Sequence, residues 1–339
     1  MVKEFNQLVY KERREEMEIP QALREALNTQ IASVQHAQIM KDAQAISMRY
    51  RTESGKGKRL LTGNTEAIAY AAARMPATFS AAYVALKNAL DSSECSLHTL
   101  LDVGAGTGAA AWAAAALLDL NRIICLERED AMHRVGKAMM EHGSKALCDT
   151  EWIHHDLTID EIPKQADLVV ASYVLNEMAS EERTKVTRNL WDSTNEMLLL
   201  IEPGTPVGFS NLKKARQELI EYGAHIAAPC FHENDCPKTQ EDWCHFTCRV
   251  SRSSLHRMLK GGESPFEDEK FMYMAVTRQQ RCSFKGCEAR ILRHPQVHKG
   301  YMTFEVCMPE GIKHIKISKK DGEIYKQAKK LKVGDEIKF

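Results

Sequence analysis

Apolar and polar positions change their spacing twice along the chain. Up to about residue 97, apolar side chains recur every three or four residues, as in IPQALREALNTQIASVQHAQIMKDAQAISMRYR, which predicts a helical N-terminal region. The segment EAIAYAAARMPATFSAAYVAL predicts a pair of helices, with Pro76 as a helix breaker or as the first residue of the second helix. From residue 290, apolar and polar residues alternate between Pro-Glu-Gly and Lys-Asp-Gly turns, which predicts a small C-terminal β module.

Between these two regions, continuous apolar runs alternate with helical stretches. The runs TLLDVGAG, RIICLER, ADLVVASYV and EMLLLIEPG each end in turn residues, as buried strands do. Strands separated by helices predict a parallel sheet with helices on both faces, and EKFMYMAVTR is a further candidate strand. The predicted division is a helical region over residues 1–97, a sheet domain over 98–280 and a basic β module over 281–339.

A cysteine-rich insertion, at residues 226–250, interrupts the predicted sheet domain. Its core, CFHENDCPKTQEDWCHFTC, contains Cys230, Cys236, Cys244 and Cys248. Free cysteines are often simply buried, but the neighbouring Pro, Asp, Asn and Glu residues make a poor apolar core. Only the last gap between cysteines fits a zinc knuckle, whereas wider gaps suit an iron–sulfur cluster held by four thiolates. The stretch therefore predicts a metal or cluster site, with zinc as the alternative to iron and sulfur.

Composition limits the classes of partner. The chain has 339 residues, 44% of them hydrophobic, which is enough for one large core or two medium ones. Its formal net charge is zero, so affinity for nucleic acid must come from local patches. No apolar run reaches the length of a membrane span, and the N-terminus lacks an apolar signal segment. We therefore expect a cytoplasmic monomer without membrane contact, in a compartment where disulfides are rare.

Two basic stretches are candidates for phosphate contact. The first comprises Arg49, Arg51, Lys56, Lys58 and Arg59. The second is the tail from residue 290 onward, where twelve Lys or Arg residues stand against six Asp or Glu, with candidate contacts at Lys313, Lys316, Lys319, Lys320, Lys329 and Lys330. Alternatively, the first stretch is a solvated loop without a function in binding. The lysines of the tail would then belong to a solvated β edge, whose charge prevents aggregation.

A glycine-rich loop follows the first predicted strand. In LLDVGAGTGAAAW, the residues Gly104, Gly106 and Gly108 allow a tight turn and a close approach of a ligand to the backbone. The G-x-G-x-G spacing after Asp102 differs from the dinucleotide loop and is similar to the S-adenosylmethionine loop of Rossmann-like methyltransferases.

Polar residues then follow at the distances that such a ligand requires. Glu127 ends the next strand, where an acidic residue can hold the ribose hydroxyls. Asp156, in WIHHDLT, is placed to meet the adenine, and Asn176 and Glu177 come just past the fourth strand, where open α/β sheets bind ligands. The alternative is a domain that has kept the shape and lost the ligand.

No catalytic residue is assigned. Methylation of an exocyclic base nitrogen usually requires an Asn/Asp-Pro-Pro-aromatic motif after the fourth strand, and SYVLNEM has no proline there. Pro229 and Cys230 resemble the Pro-Cys pair of cytosine C5 methyltransferases, whose cysteine adds to the ring. That pair, however, follows the fifth strand and its helix.

Several motifs together resemble one family. These are C-x5-C-P followed by DWCHF, with YAAARMPAT, LLDVGAGTGAAAWAA, ASYVLNEM, IEPGTPVGF and ILRHPQVHKG. The family is that of methyltransferase-like assembly factors of the small ribosomal subunit, the mitochondrial small-subunit protein 22 family and its bacterial relatives. The resemblance implies a fold of the S-adenosylmethionine type, contact with the immature small subunit near its ribosomal RNA, and a [4Fe-4S] cluster.

The resemblance also implies a ligand set for that cluster. Three ligands carry over to Cys230, Cys236 and Cys244, and the fourth to Cys307 in FEVCMPEG. Cys248 is then a bystander. The family pattern does not include Cys282 and Cys287, which stay open as alternatives for the fourth ligand together with Cys248.

The predicted protein is thus a small-subunit assembly or translation factor that binds ribosomal RNA. It has an S-adenosylmethionine-binding, methyltransferase-like fold and a cluster as structural organiser. Two alternatives remain: an active S-adenosylmethionine-dependent ribosomal RNA methyltransferase, and a zinc-stabilised RNA-binding module with a vestigial methyltransferase fold.

Overall fold

The computed structural model describes residues 17–53, 63–260, 262–280 and 289–337. The N-terminal region is helical, with α1 at Gln21–Ala32, α2 at His36–Glu53 and α3 at Asn64–Asp91. The Arg49 side chain, from the first basic stretch, is paired with Glu66. The other basic side chains of that stretch, those of Arg51, Lys56, Lys58 and Arg59, lie outside the described residues.

Helix α3 corrects the predicted break at Pro76. It runs through that proline without interruption, over 28 residues. A proline in a helix interior costs about 3 kcal/mol, because it lacks the N–H and its ring crowds the preceding turn. Burial offsets this cost, since fifteen residues of α3, including Pro76 itself, are buried. Tertiary packing therefore decides the continuity of this helix.

The central sheet has eight strands. They are β1 (Thr99–Val103), β2 (Arg122–Glu127), β3 (Glu151–His154), β4 (Ala166–Ser172), β5 (Thr194–Pro203), β6 (His225–Ala228), β7 (Phe246–Ser251) and β8 (Phe266–Thr277). The intervening helices are α4 (Ala109–Ala115), α5 (Asp130–Met140), α6 (Lys145–Cys148), α7 (Ser180–Asp192), α8 (Pro206–Glu221) and α9 (Ser254–Lys260).

The strand order is β3-β2-β1-β4-β5-β8-β6, and β7 pairs with β8. Strands β1 to β5 are parallel, whereas β8 runs antiparallel to β5, β6 and β7. This is the Rossmann-like methyltransferase fold that the sequence predicts. The order reverses between β1 and β4, and ligands of such sheets bind at that point, beyond the carboxyl ends of the strands.

A second sheet of five strands follows. Its strands are β9 (Ala289–Ile291), β10 (Gln296–His298), β11 (Tyr301–Met308), β12 (Gly311–Ser318) and β13 (Glu336–Ile337), and α10 spans Glu323–Ala328. The order is β10-β11-β9-β13, with β12 paired to β11. One face of this sheet, with Met302, Phe304 and Val306 of β11, packs with Tyr325 of α10 in a separate small core.

The segment between β6 and β7, residues 229–245, has no regular helix or strand. The ends of the predicted insertion therefore belong to strands of the central sheet. Within the described part of the chain, no helix is long and apolar enough to cross a membrane.

Candidate functional site

The glycine loop joins β1 to α4 in a conformation that requires glycine. Gly104, Gly106 and Gly108 have φ angles of 68°, 58° and 85°, which L-residues with a side chain rarely adopt. At Gly104, an added Cβ would also lie 2.6 Å from Val174 Cγ2. At Gly106 the nearest atom to an added Cβ is 3.7 Å away, so the loop is most open at its centre.

A pocket with about 380 Å³ of empty space lies between this loop and the end of β4. Three of the predicted ligand residues line it: Asp102, Gly104 and Gly106. Its other walls include Ser172 and Tyr173 after β4, and side chains of α3. The pocket thus occupies the point where the strand order reverses.

Asp102 carries the main carboxylate of this pocket. It is 1% exposed, and its Oδ2 accepts a hydrogen bond of 3.1 Å from the Ala111 backbone N–H. Burial raises the pKa of Asp102 from 3.8 to about 7, and the nearby Glu127 carboxylate adds to the rise. A cationic group in the pocket would stabilise the ionised form of Asp102.

Glu127 supports the glycine loop through a hydrogen bond to its backbone and does not line the pocket. Its Oε2 accepts from the Gly106 N–H at 2.7 Å, and its Oε1 accepts from the Glu129 N–H at 2.8 Å. Burial raises the pKa of this carboxyl against the effect of both hydrogen bonds. The structure therefore shows Glu127 as a loop support, and a contact with a ribose would have to share these oxygens.

The remaining predicted ligand residues lie outside the pocket lining. Gly108 ends the loop and precedes α4. Asp156 forms a turn, in which its Oδ1 accepts from the Thr158 N–H at 3.0 Å and from the Thr158 hydroxyl at 2.7 Å. Asn176 lies in the single 3-10 turn that follows β4.

Sequence reasoning missed the contributions of α3 and of Tyr173 to this pocket. Met75 of α3 faces the loop and accepts a hydrogen bond of 3.5 Å from the Thr107 hydroxyl at its sulfur. Tyr173 has a φ of 64°, and its hydroxyl donates to Glu269 Oε1 at 3.0 Å. Glu269 also pairs with Arg74 at 3.0 Å. These residues are far apart in the chain, so periodicity gives no signal of their contact.

A second cavity, with about 630 Å³ of empty space, collects four thiols. Cys230, Cys236 and Cys244 come from the segment between β6 and β7, and Cys307 comes from β11 of the second sheet. We call this the thiol cavity. Burial raises the pKa of Cys307 to about 12, and the nearby Cys230 and Cys236 contribute to the rise. Burial is also the main cause of the raised pKa of Cys244, and the neighbouring Cys230, Cys236 and Cys307 add to the rise.

Two buried guanidinium groups adjoin the thiol cavity. Arg216 of α8 and Arg290 of β9 are 5% and 4% exposed, and both line the cavity. Each nitrogen of the Arg290 guanidinium donates a hydrogen bond: Nε to the Pro229 carbonyl at 2.6 Å, Nη1 to the Gly334 carbonyl at 2.7 Å and Nη2 to Glu336 at 2.9 Å. Arg216 donates from Nη2 to the His232 carbonyl at 2.7 Å, whereas its buried Nε has no hydrogen-bond partner.

The thiol cavity fits a charged polynuclear cluster in the type of its donors and in the charge beside them. Among the described residues, no three His, Cys, Asp or Glu side chains are grouped to hold one metal ion. The four thiols instead share the walls of a cavity. A four-iron, four-sulfide core with four thiolates carries about two negative charges in its oxidised form. Arg216 supplies a buried positive charge, that of Arg290 is shared with Glu336, and the unpartnered Nε of Arg216 is a donor available to a sulfide.

Polar contacts fasten the cysteine segment to the second sheet. Lys238 is 4% exposed and donates to Glu305 of β11 at 2.6 Å. Asn234 donates to the Pro309 carbonyl at 3.1 Å, and His232 Nε2 lies 3.5 Å from Cys307 Sγ. The two halves of the thiol cavity are therefore held together by side chains as well as by any bound group.

The other candidate thiols are placed differently. Cys248 of β7 is buried outside the thiol cavity, where burial and then the Glu269 carboxylate raise its pKa. Cys282 and Cys287 lie outside the described residues.

Comparison with known proteins adds the family. The model of the family described as mitochondrial small ribosomal subunit Rsm22 matches residues 64–338. The chain belongs to this family. The match spans the glycine loop, the thiol cavity and the second sheet, as the resemblance of the sequence motifs predicts.

Two curated relatives are similar to the chain. The human ribosome assembly protein METTL17, mitochondrial, is 27% identical over 63% of this chain and 49% of its own length. The Rsm22-cox11 tandem protein 2, mitochondrial, of Schizosaccharomyces pombe is 24% identical over 80% of this chain and 43% of its own length. The chain thus spans about half the length of the curated relatives that it matches.

Among solved structures, magnesium protoporphyrin IX methyltransferase of Synechocystis PCC 6803, with bound SAM, is similar at 13% identity. The alignment covers 70% of this chain and 97% of that chain, with a TM-score of 0.39. The strand order β3-β2-β1-β4-β5-β8-β6 itself defines the fold of the central sheet.

The comparisons correct the predicted location. The sequence predicts a cytoplasmic protein, whereas the family and the human and yeast relatives are mitochondrial by name. The prediction used the charge and apolarity of the first residues, which lie outside the segment that matches the family.

Proposed function

We propose that the chain is an assembly factor of the small ribosomal subunit that acts as a monomer and binds ribosomal RNA. The family match over residues 64–338 carries this proposal. It is supported by the human relative, which is named a ribosome assembly protein. The domain division proposed for this role is the helical region 1–97, the methyltransferase-like domain 98–280 with its insertion, and the β module 281–339.

Within this role, Cys230, Cys236, Cys244 and Cys307 hold a [4Fe-4S] cluster. The shared cavity and the two adjoining guanidinium groups support this assignment. When bound, the cluster supplies four iron–thiolate bonds, three to the cysteine segment and one to β11. Its task is structural, because these bonds join the second sheet to the central sheet.

S-adenosylmethionine is the proposed ligand of the pocket beside the glycine loop. Asp102, Gly104 and Gly106 line this pocket, and Gly108 and Glu127 fix the shape of the loop. Asp156 and Asn176 are proposed contacts at its edge. The ligand carries a positive sulfonium and an ammonium group, for which the buried Asp102 carboxylate is a suitable neighbour.

Co-sedimentation with ribosomal particles tests the proposed function. We expect the tagged full chain, expressed in its own host, to sediment with small-subunit particles that contain precursor ribosomal RNA. It should be depleted from the large subunit and from translating ribosomes. A chain that remains at the top of the gradient, while a known small-subunit assembly factor co-sediments in the same gradient, would contradict the proposal.

One observation favours an active RNA methyltransferase as a second candidate. The pocket at the switch point brings the glycine loop next to a tyrosine, Tyr173, with a left-handed φ of 64° directly after β4. Strained residues are concentrated at functional sites. Transfer of labelled methyl groups from S-adenosylmethionine to RNA of small-subunit precursors would support this candidate, and binding without transfer would exclude it.

The raised pKa of Asp102 predicts a pH dependence of ligand binding. With a pKa of about 7 in the unliganded chain, Asp102 is mostly neutral at pH 6 and mostly ionised at pH 8. Because the cationic ligand prefers the carboxylate, its affinity should rise roughly tenfold between these pH values. Stability of the unliganded chain should fall over the same interval, since a raised pKa favours folding with the proton bound.

Calorimetric titration with S-adenosylmethionine from pH 6 to 8 measures this effect. The Asp102→Asn variant keeps the shape of the neutral carboxyl group and should bind weakly, with little dependence on pH. An unchanged pH profile in this variant would assign the dependence to another group.

A further inference from the structure

The second sheet has an open face opposite its small core. Along β11, Met302, Phe304 and Val306 point into that core, so Tyr301, Thr303, Glu305 and Cys307 belong to the other face. Cys307 and its register partner Ile312 line the thiol cavity at one end of this face. Tyr301 lies six residues away, about 20 Å along the strand. One sheet face thus has the thiol cavity at one end and a tyrosine at the other.

Side chains from three strands form an ordered stack at the tyrosine end. The His298 ring of β10 lies 4.5 Å from the Tyr301 ring, centroid to centroid, at an interplanar angle of 15°. Lys316 of β12 places its Nζ 4.2 Å from the centroid of the same tyrosine ring. All of β10 is exposed, and Val297 is 72% exposed. We call His298, Tyr301 and Lys316 the stacking cluster.

The charge around the stacking cluster is positive. Lys299 directly follows His298, Lys319 donates its backbone N–H to the Gly300 carbonyl at 2.9 Å, and Lys320 is the next residue. The carboxylates of the same strands and turns are engaged elsewhere: Glu305 pairs with Lys238, and Asp321 accepts from the Ser318 N–H and hydroxyl. The surface therefore combines the exposed ring of His298 with cations, the combination that binds single-stranded nucleic acid.

We infer that the stacking cluster binds an unpaired RNA base, with His298 as the outer stacking surface. This inference rests on the proposed binding of ribosomal RNA and names the kind of RNA and the residue that it meets. A base within a duplex has no free face to stack, so the site selects single-stranded segments, as other β-sheet RNA-binding surfaces do. Lys316 sits at the other ring of the stack, where it can approach a backbone phosphate.

The test compares His298→Ala with His314→Ala in the full chain loaded with its cluster. Both histidines are exposed on strands of the same sheet, so the two variants lose the same side chain. Affinity for a single-stranded oligoribonucleotide and for a hairpin of the same composition is measured by fluorescence anisotropy over a range of salt concentrations at pH 7.5. The oligoribonucleotide carries one 2-aminopurine to report stacking.

We expect His298→Ala to weaken single-strand binding at least about fivefold and to remove the quenching of 2-aminopurine, because a base stack is worth about 1–3 kcal/mol. The salt dependence should stay unchanged, whereas Lys316→Ala should lower its slope by about one. His314→Ala should bind as the unmodified chain does. Unchanged melting temperature and iron content would show that His298→Ala leaves the fold intact.

The possible outcomes separate the inference from the proposed function. Equal affinity of His298→Ala and His314→Ala, or equal binding of the hairpin and the single strand, would overturn the stacking inference while RNA binding stands. An unmodified chain that binds neither RNA would contradict the proposed function itself.

Discussion

Replacing Cys244 by serine is expected to remove iron and sulfide from the purified chain. Cys244 lines the thiol cavity together with the other three cysteines, and Cys230, Cys236 and Cys307 each add to the rise of its pKa that burial causes. A serine hydroxyl is a far poorer iron ligand than a thiolate. Iron and sulfide content, measured on anaerobically purified protein, should fall from about four of each per chain to near zero.

Cys248→Ala is the matched control for this experiment. Cys248 is in the same stretch and is buried, but it lies outside the thiol cavity, so its variant should keep iron and sulfide. An intact cluster in Cys244→Ser would contradict the assignment of Cys244 as a cluster ligand. One zinc and no sulfide in the unmodified chain would support the zinc-stabilised module. An intact cluster in Cys307→Ser would move the fourth ligand to Cys248, Cys282 or Cys287.

Loss of the cluster should also loosen the second sheet. Without iron–thiolate bonds, side-chain contacts such as Lys238 with Glu305 and Asn234 with the Pro309 carbonyl remain between the cysteine segment and this sheet. Each such contact contributes only about 1 kcal/mol. Hydrogen exchange over residues 289–337 should therefore speed up in Cys244→Ser, while exchange in β1 to β5 stays slow.

The sequence predicted best those features that a short segment determines by itself. The loop from Gly104 to Gly108 needs three positive φ angles, and only glycine supplies these without strain. The strands β1, β2, β4 and β5 are buried over most of their length, because both faces of a parallel sheet are covered, and β2, β4 and β5 show this as continuous apolar runs. Such signals can be recognised within ten residues.

Several features formed by residues far apart in the chain could not be predicted from the sequence. The pairing of Arg74 with Glu269 spans 195 positions, and neither residue stands out from its neighbours. The role of Glu127 as a loop support follows from hydrogen bonds to two backbone N–H groups, which its place at a strand end does not reveal. Helix α3 continues through Pro76 because the burial of its side chains outweighs the cost of a proline in a helix interior. The contribution of Arg216 to the thiol cavity was likewise not predicted, because it depends on contacts between segments that are distant in the chain.

Replacing Arg216 by methionine should weaken the binding of the cluster without lowering the stability of the chain that lacks the cluster. Arg216 is the first of the groups that lower the pKa of Cys230 against the larger effect of burial. Its removal leaves a dianionic cluster with one guanidinium instead of two, and removing one partner of a buried charge pair costs about 3–5 kcal/mol. In the unloaded chain, methionine fills a 5% exposed position with apolar atoms, which offsets the lost hydrogen bond to the His232 carbonyl.

The measurement is the difference in melting temperature between loaded and unloaded protein, together with iron content and the reduction potential of the cluster. We expect Arg216→Met to lose at least half of the stabilisation that the cluster gives, and any cluster retained should be harder to reduce because a positive charge is gone. Arg216→Lys, which keeps the charge, should recover most of the effect. Arg188→Met, at an exposed arginine paired with Asp192, should change little. If Arg216→Met lowered the melting temperature equally with and without the cluster, Arg216 would contribute only to packing. A contact between Arg216 and the cluster requires a larger loss in the loaded protein.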